Sequence, residues 1–384
     1  MNYLDHAATT PVRQEVIDMM TKMMKDDFGN PSSLHRMGLN AEKAIAHARK
    51  QIADFLSCKP TQIVFTSGGT EGNNLGMRAC LPTQIPSGKN LCIGAIEHSS
   101  VHQVAKELEQ RGLELRLLPV DSQGRMIMDE AKALIDENTI LLSVQHVNNE
   151  IGTIQPIERL TQMARQVNPT IHIHVDGVQA VGKIPVSLKA LKVDSYAFSG
   201  HKINATKGIG ALYLTDPKKA RRILWGSGQE GGLRPGTENV PAICGLGVAI
   251  QCLKDEFEDH SKAYQQCRSA WLEGVKSKID DVTVNTPLDL RQAAPHILSM
   301  SFKGVKAEIL LHMLEMKEIY VSTGSACSSK LKGNRILREM KVADDRVEGT
   351  LRISYGWKAD LKEQEEAISI LSQAVSEVRE LTMR

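Results

Sequence analysis

The chain has few cysteines, and their spacing excludes two kinds of stabilising site. Seven cysteines occur in 384 residues, an odd number, and no two of them form a C-x-x-C pair. A disulfide framework is typical of an even, closely spaced set, and a zinc knuckle needs paired ligands at short spacing. We therefore expect a reducing compartment, the cytoplasm, and no metal site.

Neither one sign of charge nor a long apolar run dominates the sequence. The chain has 47 lysines and arginines and 45 aspartates and glutamates. Because nucleic-acid-binding proteins usually carry an excess of positive charge, this balance disfavours direct binding of nucleic acid. The longest mostly apolar stretch, near residues 242–250, is far too short to cross a bilayer. The first residues lack the basic and apolar parts of a secretory signal. These features predict a cytoplasmic protein that does not enter the membrane.

What the sequence does contain is the pattern of a large α/β protein. A chain of 384 residues exceeds one ordinary core and suits a large domain with a smaller partner. Short apolar strands alternate with helical segments, and we place these strands at 63–65, 91–93, 115–120, 140–144 and 171–175. Continuous apolar strands separated by helices are typical of a mostly parallel mixed sheet covered by helices on both faces.

The pattern changes near residue 255, where short strands and a long polar-rich helix over 259–280 replace the regular alternation. We expect a large domain of residues 14–255 and a small α+β domain formed by residues 1–13 and 256–384. Ligands of parallel sheets bind at the carboxyl ends of the strands. The polar residues that follow the predicted strands are therefore the candidates for a site.

The most informative polar residues follow two apolar strands. Asp176 ends one strand, and the run Ser-Gly-His-Lys at 199–202 ends the next. Pyridoxal phosphate needs such a set: a lysine amine for a Schiff base, a carboxylate for the protonated ring nitrogen, and hydroxyl and imidazole groups for the phosphate. The candidates for these roles are Lys202, Asp176, Ser199 and His201.

Other interpretations of the same residues stay open at this point. His172, His174 and Asp176 alternate on one face of a strand, a pattern that can converge on a metal ion, although no further ligand is indicated. A strand-end aspartate can also cap the next turn, and a lone lysine is usually a surface residue. An ion pair with a pyridinium explains why the group is a carboxylate.

Two further strand ends carry candidate residues. The turn Ser-Gly-Gly-Thr at 67–70 precedes a helix, where glycines let an anion approach the free N–H groups of the first helical turn. Such a turn is more often only a turn. His98 follows another apolar segment and could stack on an aromatic ring and relay protons, although a lone histidine is usually structural.

Cys327 differs from the other six cysteines in its surroundings. Most free cysteines are small buried hydrophobic residues, the interpretation that we keep for those six. Cys327 instead stands among small polar residues, with the cations Lys330 and Lys332 nearby. Such surroundings favour a thiolate, so we predict a reactive thiol on an accessible loop.

Arg352 and Asn149 are candidates for binding a carboxylate. Arg352 lies between apolar residues of a predicted strand, and arginine binds a carboxylate through two parallel hydrogen bonds. A salt bridge between domains is the alternative. Asn149 follows the strand at 140–144 and could assist the same carboxylate.

Together these residues resemble a family of known enzymes. The ordered motifs are similar to those of the NifS/IscS-type cysteine desulfurases, in the class V aminotransferase superfamily of fold-type I pyridoxal-phosphate enzymes. The resemblance extends over essentially the whole chain, through motifs at 3–11, 28–33, 66–71, 148–152, 199–202, 234–237 and 324–327.

The resemblance implies a role for each candidate. Lys202 would be the Schiff-base lysine and proton carrier, His98 would stack on the cofactor ring, and Cys327 would attack the substrate sulfur. The remaining contacts to pyridoxal 5'-phosphate would come from Asp176 at the ring nitrogen, Gln179 at the ring hydroxyl, and Thr70, Ser199, His201 and Thr237 at the phosphate. The substrate carboxylate would be held by Asn149 and Arg352.

The resemblance also implies an activity and partners. L-Cysteine would be converted to L-alanine and a persulfide on Cys327, and a protein acceptor would take the sulfur for iron–sulfur assembly, tRNA thiolation or DNA phosphorothioation. Thr237 would come from a neighbouring subunit, which implies a homodimer. Lys202 and Asp176 fit a class V aminotransferase or a selenocysteine lyase equally, whereas Cys327 does not help a transaminase. A docking platform for sulfur acceptors with weak activity is the alternative outside these enzymes.

Overall fold

The computed structural model describes residues 1–323 and 335–382. Its strands, in chain order, are β1 (Asn2–Tyr3), β2 (Ile63–Thr66), β3 (Asn90–Gly94), β4 (Glu114–Leu118), β5 (Thr139–Gln145), β6 (His172–Asp176), β7 (Ser195–Ser199), β8 (Gly210–Leu214), β9 (Val282–Val284), β10 (Ile297–Phe302), β11 (Ile319–Tyr320) and β12 (Thr350–Ser354).

The helices surround these strands. In chain order they are α1 (Gln14–Lys25), α2 (Arg36–Leu56), α3 (Gly69–Arg78), α4 (Ser99–Gln110), α5 (Met128–Leu134), α6 (Ile157–Val167), α7 (Leu188–Leu191), α8 (Val240–Lys278), α9 (Ala307–Glu315), α10 (Arg335–Glu339), α11 (Asp344–Val347) and α12 (Leu361–Thr382). In the described ranges, no helix combines the length and apolar character needed to cross a bilayer.

A seven-stranded sheet in the order β2-β8-β7-β6-β5-β3-β4 positions the candidate site. All its neighbouring pairs are parallel except those made by β8, which runs antiparallel to both β2 and β7. Strands β3 and β7 are buried along their whole length, as their continuous apolar sequences predict. The predicted mostly parallel sheet is confirmed, and the reversed strand β8 is an element that the sequence analysis did not predict.

A second, smaller sheet has its own core. Strands β12, β10 and β9 pair antiparallel in that order, and β1 from the N-terminus pairs parallel with β11. The core of this sheet includes Trp271, Phe302 and Leu371, which are separate from the residues packed on the larger sheet. Because β1 joins β11, the first residues of the chain are held against its C-terminal part.

Helix α8 connects the two cores. Its first half packs on the larger sheet through residues such as Leu246 and Leu253, and its second half packs on the smaller sheet through Trp271. The expected start of this helix near 259 was wrong: Asn239 caps its N-terminus by accepting a hydrogen bond from Ala242. The predicted division of the chain after residue 255 falls inside α8 and stays a prediction.

Candidate active site

The carboxyl ends of two neighbouring parallel strands place Asp176 and Lys202 at the same edge of the larger sheet. Asp176 is the last residue of β6 and stands opposite Ala197 of β7. A single 3-10 turn, Gly200–Lys202, follows β7 directly. Since β6 and β7 run parallel, the side chains at both of these ends face the same edge. The structure therefore brings together the two residues on which the sequence interpretation depends.

Asp176 is a buried carboxylate held by neutral donors. Its Oδ2 accepts a hydrogen bond from Asn73 Nδ2 at 2.8 Å, and its Oδ1 accepts one from the backbone N of Val178 at 3.0 Å. The residue is only 5% exposed. A carboxylate buried among neutral donors favours a cationic ligand, because an uncompensated charge in a protein interior is costly.

The neighbouring histidines are engaged by protein side chains. His174 Nε2 lies 3.0 Å from Asn73 Oδ1, and its Nδ1 lies 2.8 Å from Ser195 Oγ. His172 Nε2 lies 2.9 Å from the same hydroxyl oxygen. Burial lowers the pKa of His174 to about 3, so its ring is neutral at physiological pH. Among the residues placed by the structure, no three His, Cys, Asp or Glu side chains are grouped to hold a metal ion.

Lys202 is directed towards the N-terminal segment. Its Nζ donates to the carbonyl oxygens of Ala7 at 2.5 Å and Ala8 at 2.7 Å. The segment is fixed to the turn that carries the lysine, because Thr10 Oγ1 donates to the carbonyl of His201 at 2.8 Å. Asn204, in the left-handed region with φ of 63°, donates its backbone N–H to the same Thr10 oxygen. The lysine is thus positioned from two distant parts of the chain.

An open cavity suited to a phosphate lies beside this turn. It has a volume of about 380 Å³ and is lined by Ala8, Thr9, Ser67, Gly68, Gly69, Thr70, Glu71, Ser199, His201, Lys207 and Gly208. The carboxylate of Glu71, the acidic residue in this lining, accepts a hydrogen bond from Arg234 Nε at 3.1 Å. Helix α3 begins here without a side-chain cap, so its first N–H groups can bind an anion.

Glycines keep the cavity open to an anion. Gly68 has φ of 150°, which L-residues rarely adopt, and a Cβ there would come within 3.4 Å of Ser199 Oγ. A Cβ on Gly69 would lie 2.6 Å from Val178 Cγ2, which is closer than real contacts allow. Side chains at these positions would occupy the approach to the helix N-terminus. The donor set and the glycines therefore fit the phosphate of pyridoxal phosphate.

His201 lines this cavity, where its neutral ring can donate or accept a hydrogen bond. Its Nδ1 lies 3.2 Å from Thr9 Oγ1. Desolvation, with the nearby cations Lys202 and Lys207, lowers the pKa of His201 to about 4. At neutral pH the His201 ring therefore offers an anion a hydrogen bond and not a positive charge.

His98 begins helix α4. Its Nδ1 accepts a hydrogen bond from the backbone N of Ser100 at 3.1 Å and lies 2.8 Å from Ser100 Oγ. His98 is exposed in the open site. Desolvation by the surrounding protein nevertheless lowers the pKa of its ring; the charge of Lys202 lowers this pKa further, and that of Asp176 raises it. His98 is thus fixed as an N-cap residue at the edge of the site.

Gln179 lies at the site but is engaged by the protein. Its Nε2 donates to the carbonyl oxygen of Ala7 at 2.8 Å, and its Oε1 lies 3.5 Å from His296 Nε2. Lys202 donates to the same Ala7 oxygen. Gln179 and Lys202 therefore share one acceptor, which places their polar ends close together.

Arg352 and Asn149 lie next to each other in the structure. Arg352 Nη1 donates to the carbonyl oxygen of Asn149 at 2.9 Å, and its Nη2 donates to Asp5 Oδ1 at 2.6 Å. Arg352 Nε and Asn149 Oδ1 are both buried and have no hydrogen-bond partner among the described residues. A buried guanidinium N–H without a partner is a site for an anionic ligand.

Thr237 does not line the cavity of its own chain. It is exposed on a loop that is anchored to helix α3 through Arg234, whose Nε donates to Glu71 Oε1 at 3.1 Å. Arg49 fixes the same loop by donating to both carboxylate oxygens of Glu230, at 2.6 and 2.8 Å. The anchored loop therefore presents Thr237 outwards.

Cys327 lies outside the described residues, but both neighbouring segments contact the site. Ser322 pairs with Arg352 through backbone hydrogen bonds of 3.1 and 2.7 Å. On the other side, Arg335 donates to the carbonyl oxygen of Glu97 at 2.5 Å and to that of Ala95. Ser322 and Arg335, which lie on either side of the undescribed residues, thus contact the strand of Arg352 and the segment before His98, respectively.

The remaining six cysteines have poorly reactive thiols. Burial is the main cause of a raised pKa in each, to about 12 for three of them and about 11 for two. The six residues are Cys58, Cys80, Cys92, Cys244, Cys252 and Cys267. Because the thiolate is the nucleophile, a raised pKa disfavours these thiols as attacking groups.

The sequence analysis missed several residues of the site. Asp5 orients Arg352, Asn73 binds Asp176, Ser100 binds His98, and Arg335 fixes the His98 loop. A signal existed for Asn73, which lies one helical turn after Thr70 and so shares its face of α3. Ser100 lies only two residues after His98, so its contact is a local one at the start of α4. The contacts of Asp5 and Arg335 depend on tertiary packing that no local pattern indicates.

Comparisons with known proteins agree over the whole chain. The family model described as Aminotransferase class-V matches residues 2–366. The chain is 37% identical over 381 residues to a protein named cysteine desulfurase IscS from Dictyoglomus turgidum, a match that covers 99% of this chain and 96% of that protein.

Solved structures show the same likeness. A NifS-like protein superposes with a TM-score of 0.91 at 34% sequence identity, covering 98% of this chain and 99% of that chain. A structure described as SspA in complex with cysteine superposes with a TM-score of 0.80 at 31% identity, covering 92% of this chain and 98% of that one.

Proposed function

Because this chain belongs to the class V aminotransferase family and is a pyridoxal-phosphate-dependent cysteine desulfurase, we propose that its chemistry is carried by Lys202, Asp176, His98, Arg352 and Cys327. The observation that supports this assignment most strongly is the convergence of Asp176 and Lys202 at neighbouring strand ends, beside an open helix N-terminus. The substrate is L-cysteine.

The cofactor would be held by the groups that converge at this edge. Bound pyridoxal phosphate supplies an electron sink for the α-carbon of an amino acid. Asp176 would pair with its ring nitrogen and Gln179 with its ring hydroxyl, while His98 would lie against the ring. Its phosphate would be bound by Thr70, Ser199 and His201, with the N–H groups of α3.

Arg352 and Asn149 would bind the carboxylate of the substrate cysteine. The unpartnered Nε of Arg352 is buried, and its other nitrogens are fixed by Asp5 and by the Asn149 carbonyl. Because the guanidinium is already oriented, little side-chain entropy is lost when a carboxylate binds. The Asn149 side chain would donate to the same carboxylate.

Lys202 and Cys327 would perform the two transfers of the reaction. The Lys202 amine would take the proton from the substrate α-carbon and return a proton within the site. The Cys327 sulfur would accept the substrate sulfur, so that the Cβ–S bond breaks and an S–S bond forms. The products, L-alanine and a Cys327 persulfide, balance the atoms of L-cysteine and one thiol.

The charge of Asp176 is expected to be essential for turnover but not for folding. Asp176→Asn keeps the contact from Val178 but removes the charge, so we expect the fold to persist. Turnover should fall about 100-fold or more, because breaking a buried ion pair costs about 3–5 kcal/mol. Circular dichroism and initial rates of alanine formation would measure both effects. Asp129→Asn, at an exposed position, should match the wild type; a fully active Asp176→Asn enzyme would contradict the assignment.

One assay separates this function from its alternatives. Purified protein given L-cysteine and a thiol reductant, without any keto acid, should release equal amounts of alanine and sulfide. An aminotransferase would need a keto acid for repeated turnover, and a selenocysteine lyase would turn over selenocysteine but not cysteine. A docking platform would show little turnover with either substrate. Alanine production that depends on an added keto acid would contradict the proposal.

We propose that the enzyme is a homodimer in which Thr237 reaches the phosphate of the neighbouring subunit. Thr237 is exposed on an anchored loop that also carries Trp225, which is 85% exposed in the single chain. Other large apolar side chains are exposed at Phe28 and Leu34. Large exposed apolar side chains are typical of subunit contacts.

Hybrid dimers test this shared site. Lys202→Ala and Thr237→Ala chains, each weak or inactive alone, should form hybrids in which one site carries neither change. Co-expressed chains with different tags should therefore recover about half of the wild-type rate, since one of two sites is intact. If the co-expressed chains sediment as monomers, or if the hybrids recover no activity, the shared site is contradicted.

The destination of the sulfur is a protein acceptor, which we place in the cytoplasm. The six described cysteines are all unpaired thiols, in keeping with a reducing compartment. Iron–sulfur assembly, tRNA thiolation and DNA phosphorothioation are the uses consistent with a persulfide donor.

A further inference from the structure

A chain of buried hydrogen bonds connects Asp176 to His98. Asn73 is fully buried in α3, and its Nδ2 lies 2.8 Å from both Asp176 Oδ2 and Ser100 Oγ. The Ser100 hydroxyl in turn lies 2.8 Å from His98 Nδ1. None of these contacts is part of the roles proposed above, so the function of Asn73 and Ser100 is a separate question.

The direction of each hydrogen bond in this chain is determined by the carboxylate. An ionised carboxylate only accepts, so the Asn73 atom that faces Asp176 must be the amide nitrogen. The other amide atom, Oδ1, then accepts from His174 Nε2 at 3.0 Å. The two amide hydrogens of Asn73 are used by Asp176 and Ser100. The Ser100 oxygen is therefore an acceptor towards Asn73.

Ser100 must consequently donate its own hydrogen to His98. Its hydroxyl has one hydrogen, and His98 Nδ1 is the acceptor within reach. The backbone N–H of Ser100 also donates to Nδ1, at 3.1 Å. A ring nitrogen that accepts two hydrogen bonds carries no proton, so the proton of the neutral ring is on Nε2.

We propose that Ser100 and Asn73 are positioning residues that hold His98 neutral with its proton on Nε2. In that form His98 donates a hydrogen bond from Nε2 and cannot act as a base at that atom, which leaves proton abstraction to Lys202. This inference rests on the proposed function for its catalytic meaning. The tautomer itself depends only on the contacts of this chain.

The charged groups around His98 act in opposite directions. Lys202 and Arg335 disfavour an added positive charge on the ring, whereas Asp176 favours it, and desolvation is the largest influence, lowering the pKa. Glu97, the residue before His98, is fully buried, and desolvation raises the pKa of its carboxyl well above its usual value, which weakens it as a balancing charge for the ring. The surroundings therefore agree with a neutral ring.

The tautomer can be measured directly in the holoenzyme. Nitrogen-15 labelling of histidine with long-range proton–nitrogen spectra distinguishes the two neutral tautomers, and a His98→Gln sample identifies the signals of His98. In the wild type we expect a protonated Nε2 and a bare Nδ1 at neutral and mildly alkaline pH. A protonated Nδ1 in the wild type would overturn the proposal, whatever the activity of the enzyme.

Substitutions at Ser100 test the cause. Ser100→Ala removes one of the two donors to Nδ1 and leaves the backbone N–H, so it should raise the population of the Nδ1-protonated tautomer to a detectable fraction. It should also raise the apparent pKa of His98 and lower turnover roughly three- to tenfold, with the larger loss at the acid end of the pH profile. Ser100→Thr retains a hydroxyl and should restore the single tautomer. Ser99→Ala, a neighbouring exposed position, should match the wild type.

The outcomes separate this inference from the proposed function. A wild-type tautomer in Ser100→Ala would overturn the role of Ser100 even if desulfurase activity is normal. A mixed tautomer in Ser100→Ala would support that role even if the protein failed the alanine assay, because the spectra do not depend on turnover.

Discussion

Lys202→Ala should abolish desulfurase turnover, with a loss of about 1000-fold or more, because the Lys202 amine serves both cofactor attachment and proton transfer. The lysine is fixed by the Ala7 and Ala8 carbonyls and by the turn after β7. Alanine release from L-cysteine and the visible absorption of the purified protein would measure the two effects together.

A matched control makes that result specific. Lys189→Ala removes an exposed lysine on α7, so it should retain full colour and turnover. Urea denaturation of both variants would show whether either is destabilised. If Lys202→Ala keeps the absorption band and turns over cysteine at a rate near that of the wild type, Lys202 is not the attachment residue.

Cys327→Ser should abolish persulfide formation while the cofactor site remains intact. Serine cannot accept sulfur, whereas the residues that converge near Asp176 and Lys202 are unchanged by the substitution. The variant should therefore keep its colour and bind L-cysteine, and catalytic alanine release should fall about 1000-fold. Mass spectrometry after one addition of L-cysteine would show an added sulfur atom on the wild type and none on the variant.

Another cysteine provides the control for this experiment. Cys252→Ser changes a partly exposed thiol whose pKa is raised mainly by burial, and it should form persulfide at the wild-type rate. Persulfide formation by Cys327→Ser at the wild-type rate would assign the acceptor role to a different thiol.

The sheet and the central pair of the site could be predicted because local patterns determine them. Buried parallel strands are continuous apolar runs, and polar residues directly after such strands meet at one edge. Asp176 and Lys202 were found in this way. The reversed direction of β8 could not be predicted. This strand lies inside the sheet and is buried along its whole length, so it is as apolar as the parallel strands.

The residues that support the site were harder to predict, since their partners are distant in sequence. Asp5 contacts Arg352, and the hydrogen bond from Arg335 to the carbonyl oxygen of Glu97 likewise joins separate segments. Such pairs are created by folding and leave no periodic signal. The start of α8 was misplaced for a different reason: the apolar half of the helix has no polar face that would reveal helical periodicity.

The most direct test of the central assignment is to locate the cofactor on the chain. Borohydride reduction of the purified holoenzyme, followed by proteolysis and peptide mass spectrometry, should find the mass of a pyridoxyl phosphate group on Lys202. The same modification on Lys207 or another lysine, or no modified peptide at all after the cofactor is supplied, would contradict the account.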